Sequence, residues 1–362
     1  MDLTLSRSYQ ARLDFVEGLK SFVSTGVMAE VKSNFASWAD GQSESVLRDR
    51  KTLADRLEPD PLYQVSRGLQ RVSQEAMWAE AARGLEPRRA ELEAAMGIDH
   101  AVNDGSDKND DDGPVLNDAL VMPAYFTGNE FHLQPGGFWR DTLTGPVYEL
   151  GVAAYSLHRY GRAGDDMGRA LVSVLPELEI KHWLEIGCGP GYKMYPVCDA
   201  FPQAEAQAID MSPHFVRYAH ARAKVHGKAV KFAQMNAEAL AFTDARFDLV
   251  FGILLLHEVP EDAIRNIVTE GFRVLGSGGV FAHVDLPGYA HLDPLTAYVM
   301  DWDTAHNGEP YWRTFHEIDI EQVYKDAGFI DVETRPAHSN LGSSGDYYQG
   351  KFDYHVVMGR KP

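Results

Sequence analysis

The chain has 362 residues, 34 basic and 53 acidic, for a formal net charge of -19, with 44% hydrophobic and 24% charged residues. Such proportions exclude a mainly disordered polymer and allow two domains, or one large domain with an appendage. The acidic excess argues against a nucleic-acid partner, because neutralising phosphates requires a Lys/Arg surface. Two cysteines, Cys188 and Cys198, are too few for a disulfide scaffold, and no Cys/His spacing suits structural zinc. The start, Met1-Asp2-Leu3-Thr4, lacks a signal-peptide layout, and the longest apolar run, 247–256, is interrupted by Asp248 and is half a membrane span. A cytoplasmic protein without a membrane partner is expected.

Residues 1–97 read as a helical domain, with Leu13, Val16, Leu19, Val23, Val27 and Val31 recurring at three- and four-residue steps. Glu58-Pro59-Asp60-Pro61 punctuates it before a further periodic stretch through Leu69, Val72, Met77 and Trp78. Residues 98–118 form an acidic linker. Asp107, Asn109 and Asp111 alternate there like calcium ligands, but Asp112 replaces the required Gly and Asp118 the required Glu, so calcium is not expected. Residues 119–170 are Gly- and aromatic-rich, with Gly136-Gly137-Phe138-Trp139, and are read as a segment covering the ligand. From 171 to 362 short apolar runs alternate with helical stretches. Strands are expected at 182–186, 206–209, 231–234, 249–253 and 280–284, with helices after Lys193 and over 214–226. This alternation predicts an α/β doubly wound parallel sheet.

The stretch Glu185-Ile186-Gly187-Cys188-Gly189-Pro190-Gly191 ends the first strand in alternating glycines, which allow backbone to approach a ligand closely. A dinucleotide fingerprint would need a small residue where Tyr192 or Met194 stands, which disfavours NAD and FAD. Asp210 closes the next strand, at a spacing that suits a ribose diol, and Asn236 after the third strand can meet an adenine edge. Arg273-Val274-Leu275-Gly276-Ser277-Gly278-Gly279 then makes a helix end and a turn before the fifth strand.

These motifs, in this order, resemble the Rossmann-like S-adenosylmethionine-dependent methyltransferases, in particular the ubiquinone/menaquinone-biosynthesis-like small-molecule group. The likeness covers about 171–284, with an echo at 321–329 where Ala327-Gly328-Phe329 stands. It implies a seven-stranded, mostly parallel sheet with helices on both faces, ending in a hairpin of 330–334 and 355–359. It also implies S-adenosylmethionine as cofactor, with Glu185, Gly187, Cys188, Gly189 and Gly191 around the methionine moiety. Asp210 and Met211 would meet ribose and adenine, Asn236, Ala237 and Glu238 the adenine edge, and Ile253 the same pocket. Asn236 stands where the family usually has Asp, and Ser277 where it has Pro.

Methyl transfer from a sulfonium needs alignment and, for a protonated acceptor, a base. His257 with Glu258, past the fourth strand, is the candidate, against a merely structural role in capping the next helix. His283 and Asp285 share a strand face and form a second catalytic candidate. With Glu258 or His257 they could in principle ligate a metal, but such a pair is more often hydrogen-bonded, so no metal is expected. An aromatic insertion at about 287–316 is read as a lid or as packing against the helical domain. Tyr148, Tyr155, Trp302, His306, Tyr311 and Trp312 are the substrate-binding candidates. The expected function is methyl transfer to a small-molecule acceptor, on oxygen, nitrogen or sulfur rather than carbon. The alternatives are a non-catalytic cofactor-binding subunit or a different group transfer with the same cofactor. A homodimer through the helical domain is expected.

Overall fold

A computed structural model describes residues 1–98, 113–157, 164–337 and 354–362. The expected strands form as β1 (His182–Ile186), β2 (Glu205–Asp210), β3 (Val230–Gln234), β4 (Phe247–Ile253) and β5 (Leu275–Asp285), followed by β6 (Ile330–Ala337) and β7 (Tyr354–Arg360). They make one sheet in the order β3-β2-β1-β4-β5-β7-β6. The pairs among β1 to β5 are parallel, and β7 runs antiparallel to both β5 and β6. The strand order reverses between β1 and β4, and at such a switch point the carboxyl ends of the strands leave a crevice.

The N-terminal region, among the described residues, begins with α1 (Arg7–Phe22), α2 (Met28–Ala39), α3 (Glu44–Leu47), α4 (Arg50–Leu57), α5 (Pro61–Leu85) and α6 (Arg89–Ala95). Next come α7 (Ala124–Thr127), α8 (Thr144–Tyr155) and α9 (Asp166–Val174), and within the sheet region α10 (Tyr195–Ala200), α11 (Pro213–Val225) and α12 (Glu261–Val274). The insertion supplies α13 (Pro294–His306) and α14 (Trp312–Glu317), and α15 (Ile320–Asp326) leads to β6. Local chemistry sets several starts. Asp60, Ser212 and Asp293 each accept backbone N–H groups at a helix N-terminus whose first residue is Pro61, Pro213 or Pro294.

Both faces of the sheet are buried, which explains the nearly continuous apolar strands. On one face Trp183 and Phe251 pack with Met167 and Leu171 of α9, Val197 of α10 and Val216 of α11. On the other, Leu184, Ile186 and Val250 meet Ile264 and Val268 of α12 and Tyr324 of α15. The helical region is joined to this body through its own cores. Trp78 and Met77 of α5 pack with Tyr148 and Val152 of α8 and with Phe215 and Tyr218 of α11. A Cβ on Gly151 of α8 would lie 2.0 Å from Trp78 Cζ3, so the indole fills the groove that glycine leaves. Insertion helix α13 packs Leu295 and Val299 against Met28, Val31, Leu53, Leu57 and Tyr63.

The Asp-rich stretch, with its calcium-like spacing, lies outside the described residues at 99–112. At the C-terminal end of that linker Val115 is not free chain, because it pairs with Ala233 and supplies hydrogen bonds to the open edge of β3. Among the described residues no helix is long and apolar enough to cross a membrane.

Candidate active site

The loop after β1 is shaped by left-handed glycines. Gly191 has φ +84°, and a Cβ there would lie 2.7 Å from Ala219 Cβ, so α11 can approach only glycine. Gly189, at φ +51°, has nothing within 4 Å of its missing Cβ. Its open side adjoins a cavity of about 790 Å³, part of it open to solvent. Gly187, Cys188 and Gly189 form one wall of the cavity, Asp210, Met211, Asn236 and Ala237 a second, and Ile253 to Leu255 with Glu258 a third. Its cover is aromatic. Phe131 stacks on Phe138 at 5.2 Å between centroids, and Tyr148 and Phe215 meet edge to face at 5.4 Å.

At the β2 end, Asp210 Oδ2 accepts the Gly189 N–H and Oδ1 the Ser212 N–H, both at 2.8 Å. Burial outweighs those hydrogen bonds and pushes this carboxyl up to about 6. Lys193, only 6% exposed, lines the same cavity. Burial brings its ammonium down to about 8, against the opposing pull of Glu185 and Glu258. Burial likewise raises Glu185 well above the carboxylate range, and its Oε2 has no hydrogen-bond partner. An acid and a base thus stand near the glycine loop with hydrogen-bonding capacity to spare.

The third wall leads to a buried polar cluster. His257 Nδ1 lies 2.8 and 2.9 Å from the two Asp285 oxygens, and its Nε2 is 3.6 Å from Glu258 Oε1. His132 Nε2 approaches the same Oε1 at 2.9 Å, while its Nδ1 contacts Glu309 Oε1. Burial works against charge on His257, but Asp285 and then Glu258 hold it up at about 10. Burial disfavours the Glu258 anion, yet the two imidazoles keep it well below the usual carboxylate range. Glu309 is held above that range by burial and by Glu258.

His132 occupies a strained turn: it has φ 55° and Leu133 φ 65°. Its carbonyl accepts the Trp78 indole N–H at 2.6 Å and Gln74 Nε2 at 3.0 Å, and Lys20 Nζ donates to Gln74 Oε1 at 2.9 Å. Helices α1 and α5 therefore brace the turn that carries His132. Gly308, at φ +70°, completes the fit, since a Cβ there would meet the Glu130 carbonyl.

Of the residues singled out in the sequence, Gly187, Cys188, Gly189, Asp210, Met211, Asn236, Ala237, Ile253, Glu258 and Tyr148 line the cavity. Glu185, Gly191 and Glu238 stand behind that wall, and Glu238 accepts the hydroxyl of the lining residue Tyr125 at 2.6 Å. Burial holds the Cys188 thiol well above its ordinary pKa, so it is no thiolate.

Three expectations need correction. His283 and Asp285 are not a hydrogen-bonded pair, being 3.8 Å apart. Asp285 turns to His257, and His283 Nε2 accepts the N–H groups of Leu255 and Leu256 at 3.2 and 3.1 Å, so its lone pair is taken. Trp302 and His306 are not at this cavity. They pair with each other, and the Arg67 guanidinium lies 5.4 Å over Trp302, in a separate cleft shared with Tyr63, Tyr298 and Arg313. The reason is that α13 buries its apolar residues against α2, α4 and α5. Tyr311 packs edge-on to the lining residue Tyr125, Trp312 edge-on to His257, and Tyr155 beside His132, and none of the three lines the cavity. Sequence reasoning missed His132, Glu309 and Lys193. Lys193 alone had a usable signal, its place two residues past the last loop glycine.

A methyltransferase domain family matches residues 184–279. An uncharacterized methyltransferase of Synechocystis sp. is 30% identical over 159 residues, covering 41% of this chain and 71% of that protein. The ubiquinone/menaquinone biosynthesis C-methyltransferase of Bartonella tribocorum is 27% identical over 208 residues, covering 51% of this chain and 76% of that one. Among solved structures, human N-acetylserotonin methyltransferase in complex with SAM is similar at a TM-score of 0.46 and 14% identity, over 66% of this chain and 60% of that one.

Proposed function

The chain belongs to the S-adenosylmethionine-dependent methyltransferases, and we propose on that premise that it methylates a small molecule at oxygen, nitrogen or sulfur, with Glu258 at the acceptor end. The observation that carries this reading is a single cavity with the glycine loop and Asp210 in its walls and a carboxylate, Glu258, that faces two imidazoles beside the aromatic cover. The residues present fit the cofactor. Gly189 leaves open space for backbone contact, and Asp210 retains lone pairs for ribose hydroxyls. Lys193, in the cavity lining, offers an ammonium to the carboxylate of an amino-acid end, and Glu185 offers its orphaned oxygen as a hydrogen-bond acceptor for the ammonium of that end.

When bound, S-adenosylmethionine supplies a methyl group activated on a sulfonium. The chain's own work is alignment, exclusion of water by Phe131, Phe138, Tyr148 and Phe215, and acceptance of a hydrogen bond from the acceptor. In this reading Glu258 accepts that hydrogen bond. His257 already holds its proton against Asp285, so it positions Glu258 rather than serving as the base. A non-catalytic binder would have no use for such a group beside an aromatic pocket. Four exposed apolar side chains, Phe15, Phe22, Val65 and Val72, lie on α1 and α5 and support self-association through that bundle.

Calorimetry with S-adenosylmethionine and S-adenosylhomocysteine tests the cofactor reading, with Asp210→Ala as control. Binding to the wild type that collapses in the variant is expected. A wild type that binds neither ligand overturns the proposal. Isotope-labelled methyl cofactor with a panel of hydroxyl, amine and thiol acceptors then identifies the atom methylated.

A further inference from the structure

We propose that His132, His257 and Glu258 bind a divalent first-row transition-metal ion at the acceptor end of the cavity, with Glu309 and Asp285 fixing the two imidazoles from behind. Side-chain donors of His132, His257, Glu258 and Glu309 all lie within 4.8 Å of one another. Both Nε2 atoms converge on one oxygen, Glu258 Oε1, at 2.9 and 3.6 Å. Those separations bracket the edge of roughly 3.4 Å expected between donors on an ion bonded at about 2.0–2.1 Å. The longer one exceeds a hydrogen bond.

The outer atoms point the same way. Each imidazole turns its Nδ1 to a buried carboxylate, His257 to Asp285 and His132 to Glu309. A carboxylate behind Nδ1 keeps the Nδ1 proton in place, so an ion that displaces the Nε2 proton meets a lone pair already aimed at it, and metal-bound histidines commonly have such a carboxylate. The cluster also holds buried acceptor capacity that protein hydrogen bonds leave unused. Glu309 is 1% exposed, and its Oε2, like Glu258 Oε2, has no hydrogen-bond partner. Buried acceptors without donors are costly unless a cation compensates them.

Two imidazoles and a carboxylate favour a transition metal over calcium or magnesium, which prefer oxygen donors. Three protein donors leave coordination positions open, and Glu258 lines the cavity. An acceptor oxygen would occupy one of them. That last clause rests on the methyl-transfer reading, whereas ion binding itself does not. The strained His132 turn, braced by Trp78 and Gln74, then gives the N-terminal helices a function, because they hold one of the ligands.

The test is equilibrium dialysis of the chelator-treated full chain against Co²⁺ and Zn²⁺, with the visible spectrum of the Co²⁺ form. One ion per chain is expected, with ligand-field bands that shift when an oxygen-donor acceptor is added. His132→Ala and Glu258→Gln should each weaken binding at least about 100-fold, and Glu309→Gln about 10- to 100-fold. Asp210→Asn should leave it unchanged. A wild type that takes up no stoichiometric Co²⁺ or Zn²⁺ at millimolar concentration overturns the inference. So does uptake that is the same in Glu258→Gln, whose near-isosteric change keeps the fold. Cofactor calorimetry on the same samples separates the two readings: metal uptake without cofactor binding sinks the proposed function alone, and the reverse sinks the metal site alone.

Discussion

Asp210→Asn should separate cofactor affinity from stability. The buried carboxylate sits near pKa 6 rather than 3.8, and this difference corresponds to about 3 kcal/mol disfavouring the anion inside the fold at neutral pH. The amide removes that cost. It also loses one of the two 2.8 Å bonds from the Gly189 and Ser212 N–H groups, about 1.5–3 kcal/mol when the acceptor is charged. The two terms nearly cancel, so urea unfolding of the cofactor-free variant at pH 7 should agree with the wild type within about 1.5 kcal/mol. Cofactor affinity should nevertheless fall roughly 10- to 150-fold in calorimetry, because an anionic acceptor for the ribose hydroxyls is gone.

The pH dependence has a defined sign. A carboxyl whose folded pKa is raised binds its proton more tightly in the folded state. Its contribution to stability is therefore full below about 3.8 and is lost as the pH rises through about 6. Between pH 7 and 5 the wild type should gain stability relative to the variant while its affinity advantage shrinks. An Asp210→Asn protein that binds the cofactor within threefold of wild type at pH 7 refutes the reasoning, as does an affinity loss matched by an equal loss of stability.

Lys193→Met should weaken binding of S-adenosylmethionine at least about tenfold but leave its decarboxylated analogue nearly unaffected, since only the former carries a carboxylate for the ammonium; calorimetry with both ligands decides. Gly151→Ala would ordinarily stabilise a helix by about 0.5–1 kcal/mol. Here the new methyl meets Trp78, and a loss of about 3 kcal/mol in urea unfolding is expected. His283→Ala leaves the Leu255 and Leu256 amides without an acceptor and should cost about 2–4 kcal/mol, read from the unfolding midpoint; a loss below about 0.5 kcal/mol would mean that those amides have another partner.

Much of the fold was written locally. The strands announce themselves because a sheet buried on both faces needs unbroken apolar runs, and helix starts such as Ser212-Pro213 and Asp293-Pro294 carry their own caps. The glycine loop and Asp210 were legible for the same reason. Their chemistry depends on backbone conformation at fixed spacing along the chain, which the order of residues states directly. The acceptor end was not. His132 comes from a turn in the covering segment, Glu309 from the insertion and His257 from the end of β4, and nothing in their spacing relates them.

The sequence by itself determined the sheet, its glycine loop and the family, through periodicity and short-range motifs. Only the tertiary structure decided which histidine meets which carboxylate. His283 was diverted to backbone amides and Asp285 to His257 because strand register, not sequence proximity, sets which atoms face each other. Likewise α13 buried its apolar side against the helical domain and took Trp302 and His306 with it, since removing Leu295 and Val299 from water outweighs any preference of two amphipathic rings.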